Sequence, residues 1–345
     1  MATEDTDITA GLGALKISQS SDLILAEDGD VVLVLDDDTR IRTLSSVLSL
    51  ASVVFKKMFG PHFLEGQAVR SSESPQELRL HDDVPRAIIA VLRVIHFRKL
   101  MPPRMYSVRE LGLELMEIGV VADKYDCCRA VSGSTDMLML RCINCLAYKS
   151  DVSEDEIFGM AHLASAAYSL KRPMFFRHFT RQLVLTSEGY DVLDDLVVEE
   201  AGLSLSVLFE LRLQKRAAED TLVDLVSSEI EKQHCTASDP KGSTANEIFG
   251  QELKTKEWPP DWRGRRGTSI GSVLAKSVPP PEVPYDSLLL LTGKQLAKIF
   301  KAVNDRAHGL CLACARAEKA YLTCEHAVPS RAVGLKDVYE LVAAS

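Results

Sequence analysis

Asp30-Val31-Val32-Leu33-Val34-Leu35, Ile41-Arg42-Thr43-Leu44-Ser45-Ser46-Val47-Leu48-Ser49-Leu50-Ala51-Ser52, Phe55-Lys56-Lys57-Met58-Phe59-Gly60 and Phe63-Leu64-Glu65-Gly66 follow one another along the stretch whose reading decides the fold. Val31 to Leu35 is an unbroken aliphatic run, which predicts a strand buried on both faces. Asp36-Asp37-Asp38-Thr39 is a polar turn, and Arg40 to Thr43 returns as a second strand. Ser45 or Ser46 is placed to cap a short helix carrying Val47, Leu48 and Leu50. Ser52 is placed to cap the next, which buries Phe55, Met58 and Phe59.

Working outward, Glu77-Leu78-Arg79-Leu80 alternates as a short strand. Asp82-Asp83 places acids at the expected start of a helix, where the macrodipole favours them. That helix carries Val84, Ile88, Val91, Leu92 and Ile95, and Met101-Pro102-Pro103 ends the unit. Val108 to Tyr125 repeats the helical period with Leu111, Leu115, Ile118, Ala122 and Tyr125 on one stripe, and Gly119 interrupts it. A small sheet with helices clustered against it is an α+β fold.

The order and spacing of these residues resemble the BTB/POZ domain, in the form common in filamentous fungi. The resemblance rests on Asp30-Val31, on Val47-Leu48 with Ser52, on Phe55, Met58 and Phe59, on Phe63-Leu64-Glu65, and on Ala122-Asp123-Lys124-Tyr125-Asp126-Cys127. It implies protein–protein recognition through the domain's outside, by self-association as a homodimer or as an adaptor to a cullin-type ubiquitin ligase. Phe63-Leu64-Glu65 matches the element that cullin-binding members use, and Phe59 and Met58 adjoin it. The same Phe63 also reads as the lid of the small helical cluster. A homotypic or transcription-related scaffold without ligase recruitment is the alternative. Leu44 stands where animal members usually carry His, and Val53 where they carry Pro. The charged pocket those residues help build in dimers and co-repressor binders is therefore not implied for this chain.

The resemblance divides the chain into a tail at 1–26, the BTB/POZ-like domain at 27–131 and a helical region at 132–235. The tail has a mildly apolar segment, Leu12 to Ile24, that reads either as frayed or as a strand or helix packing on a partner. The helical region carries helices at Thr135 to Lys149, from a capping box at Ser153 and Glu156, from Pro173, and from Ser204 to Lys232. By position and helix content it resembles the BACK-like extension that follows BTB domains. Residues 236–285 are rich in Pro, Gly and Ser and read as a linker. Residues 286–345 resume a helical period with Leu296, Ile299, Phe300 and Val303.

The chain of 345 residues has a formal net charge of −9, which leaves no cationic surplus for neutralising phosphates. Trp258, Trp262, Arg263, Arg265 and Arg266 read as a solvated linker before they read as a nucleic-acid contact. No apolar run is long enough to span a bilayer, and the acidic start Met1 to Asp7 does not read as a secretory or transit signal. The expected location is cytoplasm or nucleus, where the eight cysteines stay reduced. Cys311-Leu312-Ala313-Cys314, followed by Cys324-Glu325-His326, has the spacing of a Cys3His structural zinc site, with His308 a substitute ligand. The competing reading makes these thiols core packing. Cys142 and Cys145 lie three apart on a helix and read as buried thiols on one face. No Gly-x-Ser-x-Gly, His-Glu-x-x-His or phosphate-cradling loop is present, so the expectation is a non-enzymatic protein. A zinc-dependent enzyme in the C-terminal module is the rival from another class.

Overall fold

A computed structural model describes residues 22–67, 69–100, 107–147, 152–186, 202–236 and 293–317. The linker at 236–285 and its Trp and Arg residues fall outside them, save residue 236. The chain divides into two units, Met1–Lys99 and Leu100–Ser345.

The first unit is α+β. Its four strands are β1 (Leu23–Ile24), β2 (Val31–Val34), β3 (Arg40–Thr43) and β4 (Gln76–Arg79), ordered β1-β3-β2-β4. β2 pairs antiparallel with β3, Leu33 opposite Ile41, and parallel with β4, Leu33 opposite Leu78. A central strand with neighbours on both edges and cover on both faces needs apolar side chains at every position, and all four residues of β2 are buried. β1 pairs parallel with β3, so Leu23 and Ile24, which the sequence reading assigned to the tail, belong to the sheet. The helices are α1 (Ser45–Ala51), α2 (Val53–Met58), α3 (Leu64–Gln67) and α4 (Pro85–Ile95). Ile88, Val91, Leu92 and Ile95 of α4 are buried, as the helical period predicts.

The acids at 82–83 do a different job from the one expected. α4 starts at Pro85 behind Val84 and has no acid in its first turn. Asp82 instead takes a left-handed conformation (φ 58°), and its N–H donates to Asp36 Oδ2 at 2.9 Å. The link tethers the entrance of α4 to the β2–β3 turn, where the Thr39 N–H donates to Asp37 Oδ1 at 3.0 Å.

Every element of the second unit, among the described residues, is a helix. They are α5 (Val108–Lys124), α6 (Cys128–Ala147), α7 (Glu154–Ser169), α8 (Pro173–Thr186), α9 (Leu205–Thr236), α10 (Gly293–Arg306) and α11 (Leu312–Arg316). None of the described helices is long and apolar enough to cross a membrane. α7 opens on the expected capping box: Ser153 Oγ accepts from the Glu156 N–H, and Glu156 Oε2 accepts from the Ser153 N–H. It is the central helix, buried from Glu156 to Ala167 rather than along one stripe. α5 and α7 cross closely. Gly112 meets Gly159 and His162, and Gly119 meets Ala166 and Ser169, so the two helices run in the same direction. Gly119 thus serves close approach and does not break α5.

α6 begins at Cys128, seven residues before the expected Thr135, because Asp126 turns the chain with φ 47° directly after α5. Lys171 makes the equivalent turn after α7 with φ 59°, and its Nζ sits 3.1 Å from Asp123 and 3.5 Å from Asp126. Arg172, next in line, forks onto the buried Asp136 of α6, with Nε 2.8 Å from Oδ1. The turn before α11 closes on α8: Leu310 N–H donates to Thr180 Oγ1 at 2.9 Å, and Arg181 Nε donates to the Ala307 carbonyl at 3.0 Å.

Candidate partner-binding surface

α1 begins at a residue that cannot cap it. Leu44 is its N-cap and offers no side-chain acceptor. Ser45 and Ser46 lie inside the helix, so neither is the cap that the sequence suggested. The bonding comes from elsewhere. Asp30 accepts the Ser45 N–H at Oδ1 (2.7 Å) and the Ser45 hydroxyl at Oδ2 (2.6 Å). His96, just past α4, accepts the Leu44 N–H at Nε2 (3.3 Å). Burial pushes the Asp30 carboxyl up, but the Ser45 bonds and the Arg70 charge outweigh it and hold the group below its ordinary value. The Asp of the Asp30-Val31 pair is therefore a remote helix cap.

A helix held at its start presents a defined outer face. Leu48 is fully buried, whereas Leu50 is 89% exposed and Val53, the first residue of α2, is 49% exposed. Both lie on the short helix read from sequence, but they face opposite ways. Residues two apart on a helix point about 200° away from each other.

α2 has the expected cap, with the Phe55 N–H donating to Ser52 Oγ at 3.0 Å. Phe55 is buried and stacks on Phe59, with ring centroids 6.0 Å apart and planes 12° apart. Phe59 is itself buried, and Met58 is half-buried. Of the five residues proposed from sequence to touch a partner, Phe59 thus anchors the helical cluster from inside. Phe63 is half-exposed, Leu64 opens α3, and Glu65 in the same turn is half-buried. Arg70 lies over the Phe59 ring at 5.1 Å and donates to the carbonyls of Glu65 (3.3 Å) and Phe59 (3.4 Å). A Cβ on Gly66 would stand 1.7 Å from the Gly60 carbonyl oxygen, so this tight loop requires glycine.

Two of the four residues suggested as zinc ligands lie among those described. Cys311 stands at the N-cap of α11, and Cys314 is buried one turn on. Cys324 and His326 lie outside the described residues, within which no three His, Cys, Asp or Glu side chains gather as a metal site. The Cys142–Cys145 pair does not share one environment. Cys142 is buried and Cys145 is exposed, although three residues along a helix turn it only about 60° short of a full circle. Burial pushes the thiols of Cys127 and Cys142 up to about 12, which keeps them protonated and unreactive at neutral pH.

Residues 25–133 match the family model of the BTB/POZ domain, a protein–protein interaction module and not a catalytic one. No curated protein matches the chain.

Proposed function

We propose, from the BTB/POZ match over residues 25–133, that this chain acts by binding rather than by catalysis, and that its first unit pairs with a second copy of itself through the outer face of α1 and α2. The observation that carries this reading is Leu50. A leucine 89% exposed on a helix braced by Asp30 and His96 is held in place where a partner's cover would gain its burial. Val53, three residues on at the start of α2, is a second exposed apolar side chain in this stretch. A stable interface buries about 1,200–2,000 Å² in total, so Leu50 would be the centre of a larger contact. A light-scattering mass of the full chain is expected to be that of a dimer. Leu50→Glu is expected to weaken pairing at least about a hundredfold by burying an unpaired charge, with unchanged circular dichroism. A monomeric wild-type mass would overturn the reading.

The adaptor reading rests on Phe63, half-exposed beside Glu65 on a loop clamped by Arg70. The same preparation decides it: a cullin captured by the wild-type chain and lost with Glu65→Lys supports an adaptor, and no capture by either leaves a scaffold without ligase recruitment.

For the C-terminal cysteines we propose a structural zinc on Cys311, Cys314, Cys324 and His326. The support is the placement of Cys311 and Cys314 one turn apart at the start of α11, with two further ligand types at a usual spacing. Metal analysis of the purified full chain is expected to give one zinc per chain, lost in Cys311→Ser. A zinc-free wild-type chain rules the site out and leaves the thiols as packing.

A further inference from the structure

Two titratable groups brace the start of α1, and one of them works only when it is neutral. His96 Nδ1 lies 2.9 Å from the Leu92 carbonyl oxygen. A carbonyl only accepts, so Nδ1 carries the hydrogen and donates. Nε2 is then the lone-pair nitrogen, free to accept the Leu44 N–H. A second proton on the ring would sit on Nε2 and face that N–H directly. Two donors would oppose each other, and the start of α1 would lose one of its two outside acceptors.

The surroundings oppose that second proton on balance. Burial of the ring weighs most heavily against the cation. Arg98 adds repulsion, the Leu92 carbonyl at the end of α4 favours the cation, and the outcome lies below the ordinary imidazole value. The first turn of α1 works in the same direction as the burial, since it is the positive end of a helix. Asp30 bonds to Ser45 and not to the ring, and it is not among the groups that shift His96.

We propose that His96 is an acid-sensitive latch on α1, and that its protonation loosens the helix face carrying Leu50 and thereby weakens self-association. The second half rests on the self-association reading above. The sign follows from the geometry. The latched ring resists protonation and the released ring does not, so the latch is complete above about pH 6.5 and is lost as pH falls below it. Between pH 7.5 and 5.5 a released imidazole of ordinary affinity gains about tenfold from proton uptake, and this is the ceiling of the effect, since any proton the latched ring takes up reduces it.

The test is hydrogen–deuterium exchange of the full chain at pH 7.5 and 5.5, corrected for the intrinsic rate, read over residues 44–48 alongside the light-scattering mass. Wild-type protection there is expected to fall at the lower pH, by up to about tenfold. His96→Gln, which keeps an acceptor and cannot titrate, is expected to show no such fall. Equal wild-type protection at both pH values, or the same fall in His96→Gln, overturns the latch. Imidazole nitrogen shifts of the wild type give a reading that does not depend on the variant folding: the Nδ1–H tautomer is expected, and Nε2–H overturns the proposal. A chain that stays monomeric while residues 44–48 respond to pH sinks the self-association reading alone. A dimer with flat exchange sinks the latch alone.

Discussion

Gly159→Ala is expected to destabilise the helical unit by about 2–3 kcal/mol, while Gly133→Ala is expected to leave it unchanged or stabilise it by up to about 1 kcal/mol. Both substitutions add one methyl group to a helix of the same unit. At Gly159 that methyl would stand 2.8 Å from the Arg109 nitrogen and from the Val108 carbonyl carbon and oxygen. These are backbone atoms of the first turn of α5, and no rotamer moves them away, so the crossing must open. Gly112, on the other side, would meet the Gly159 carbonyl oxygen at 2.7 Å, so the crossing has no slack in either direction. At Gly133 nothing lies within 4 Å, and alanine only removes the entropy that glycine costs a helix. Urea unfolding of the two variants followed by far-ultraviolet circular dichroism makes the comparison. A Gly159→Ala chain within about 0.5 kcal/mol of wild type would mean that the helices do not cross as described.

Arg172→Ala is expected to cost about 3 kcal/mol at pH 7.5 and clearly less at pH 5. Its partner Asp136 has a side chain 4% exposed, against 24% for Arg172, so removing the arginine strands the more deeply buried of the two charges. Already in the intact pair, burial lifts the Asp136 carboxyl above its ordinary value despite the bonds from Arg172. Without the guanidinium the lift grows. A carboxyl whose folded value is raised takes its proton more readily when folded. The variant therefore keeps its stability at low pH and loses it as pH rises through that raised value. The partial exposure of Arg172 keeps the cost at the lower end of what broken buried pairs show. Adding Asp136→Asn to Arg172→Ala should remove the pH dependence. Urea midpoints at the two pH values check both points, and an equal loss at pH 5 and 7.5 would show that Asp136 is not the stranded group.

Much of both units was legible because the determinants are local. The aliphatic run of β2 and the polar turn after it predict the hairpin that the structure contains. The caps Ser52 and Ser153 bond to residues three positions on, within the reach of a single turn. Local patterning placed Leu48 and Leu50 on one helix but did not separate its buried side from its exposed one. It misled where a residue was assigned its commonest role, as with Asp82 at a helix start and Gly119 as an interruption. Phe63, Leu64 and Glu65 were suggested as partner-binding residues through a resemblance, not through local pattern. The face around Leu50 was missed, although the 200° between Leu48 and Leu50 was there to be read.

The sequence by itself determined that β2, β3 and β4 are strands and that most of the later segments are helices, where several of them start, and that the first part of the chain builds a sheet under helices; it left β1 in the tail and began α6 seven residues late. Those choices depend on neighbours within a few residues, whose separation the covalent chain already limits. Only the tertiary structure decided that Asp30 and His96 together cap α1, from 15 residues away in one case and 52 in the other. It also decided that Gly112, Gly119 and Gly159 exist to let two helices touch. Such pairings have no trace in local propensity, because the bond or the contact exists only once the folded chain has brought distant positions within a few ångströms of each other.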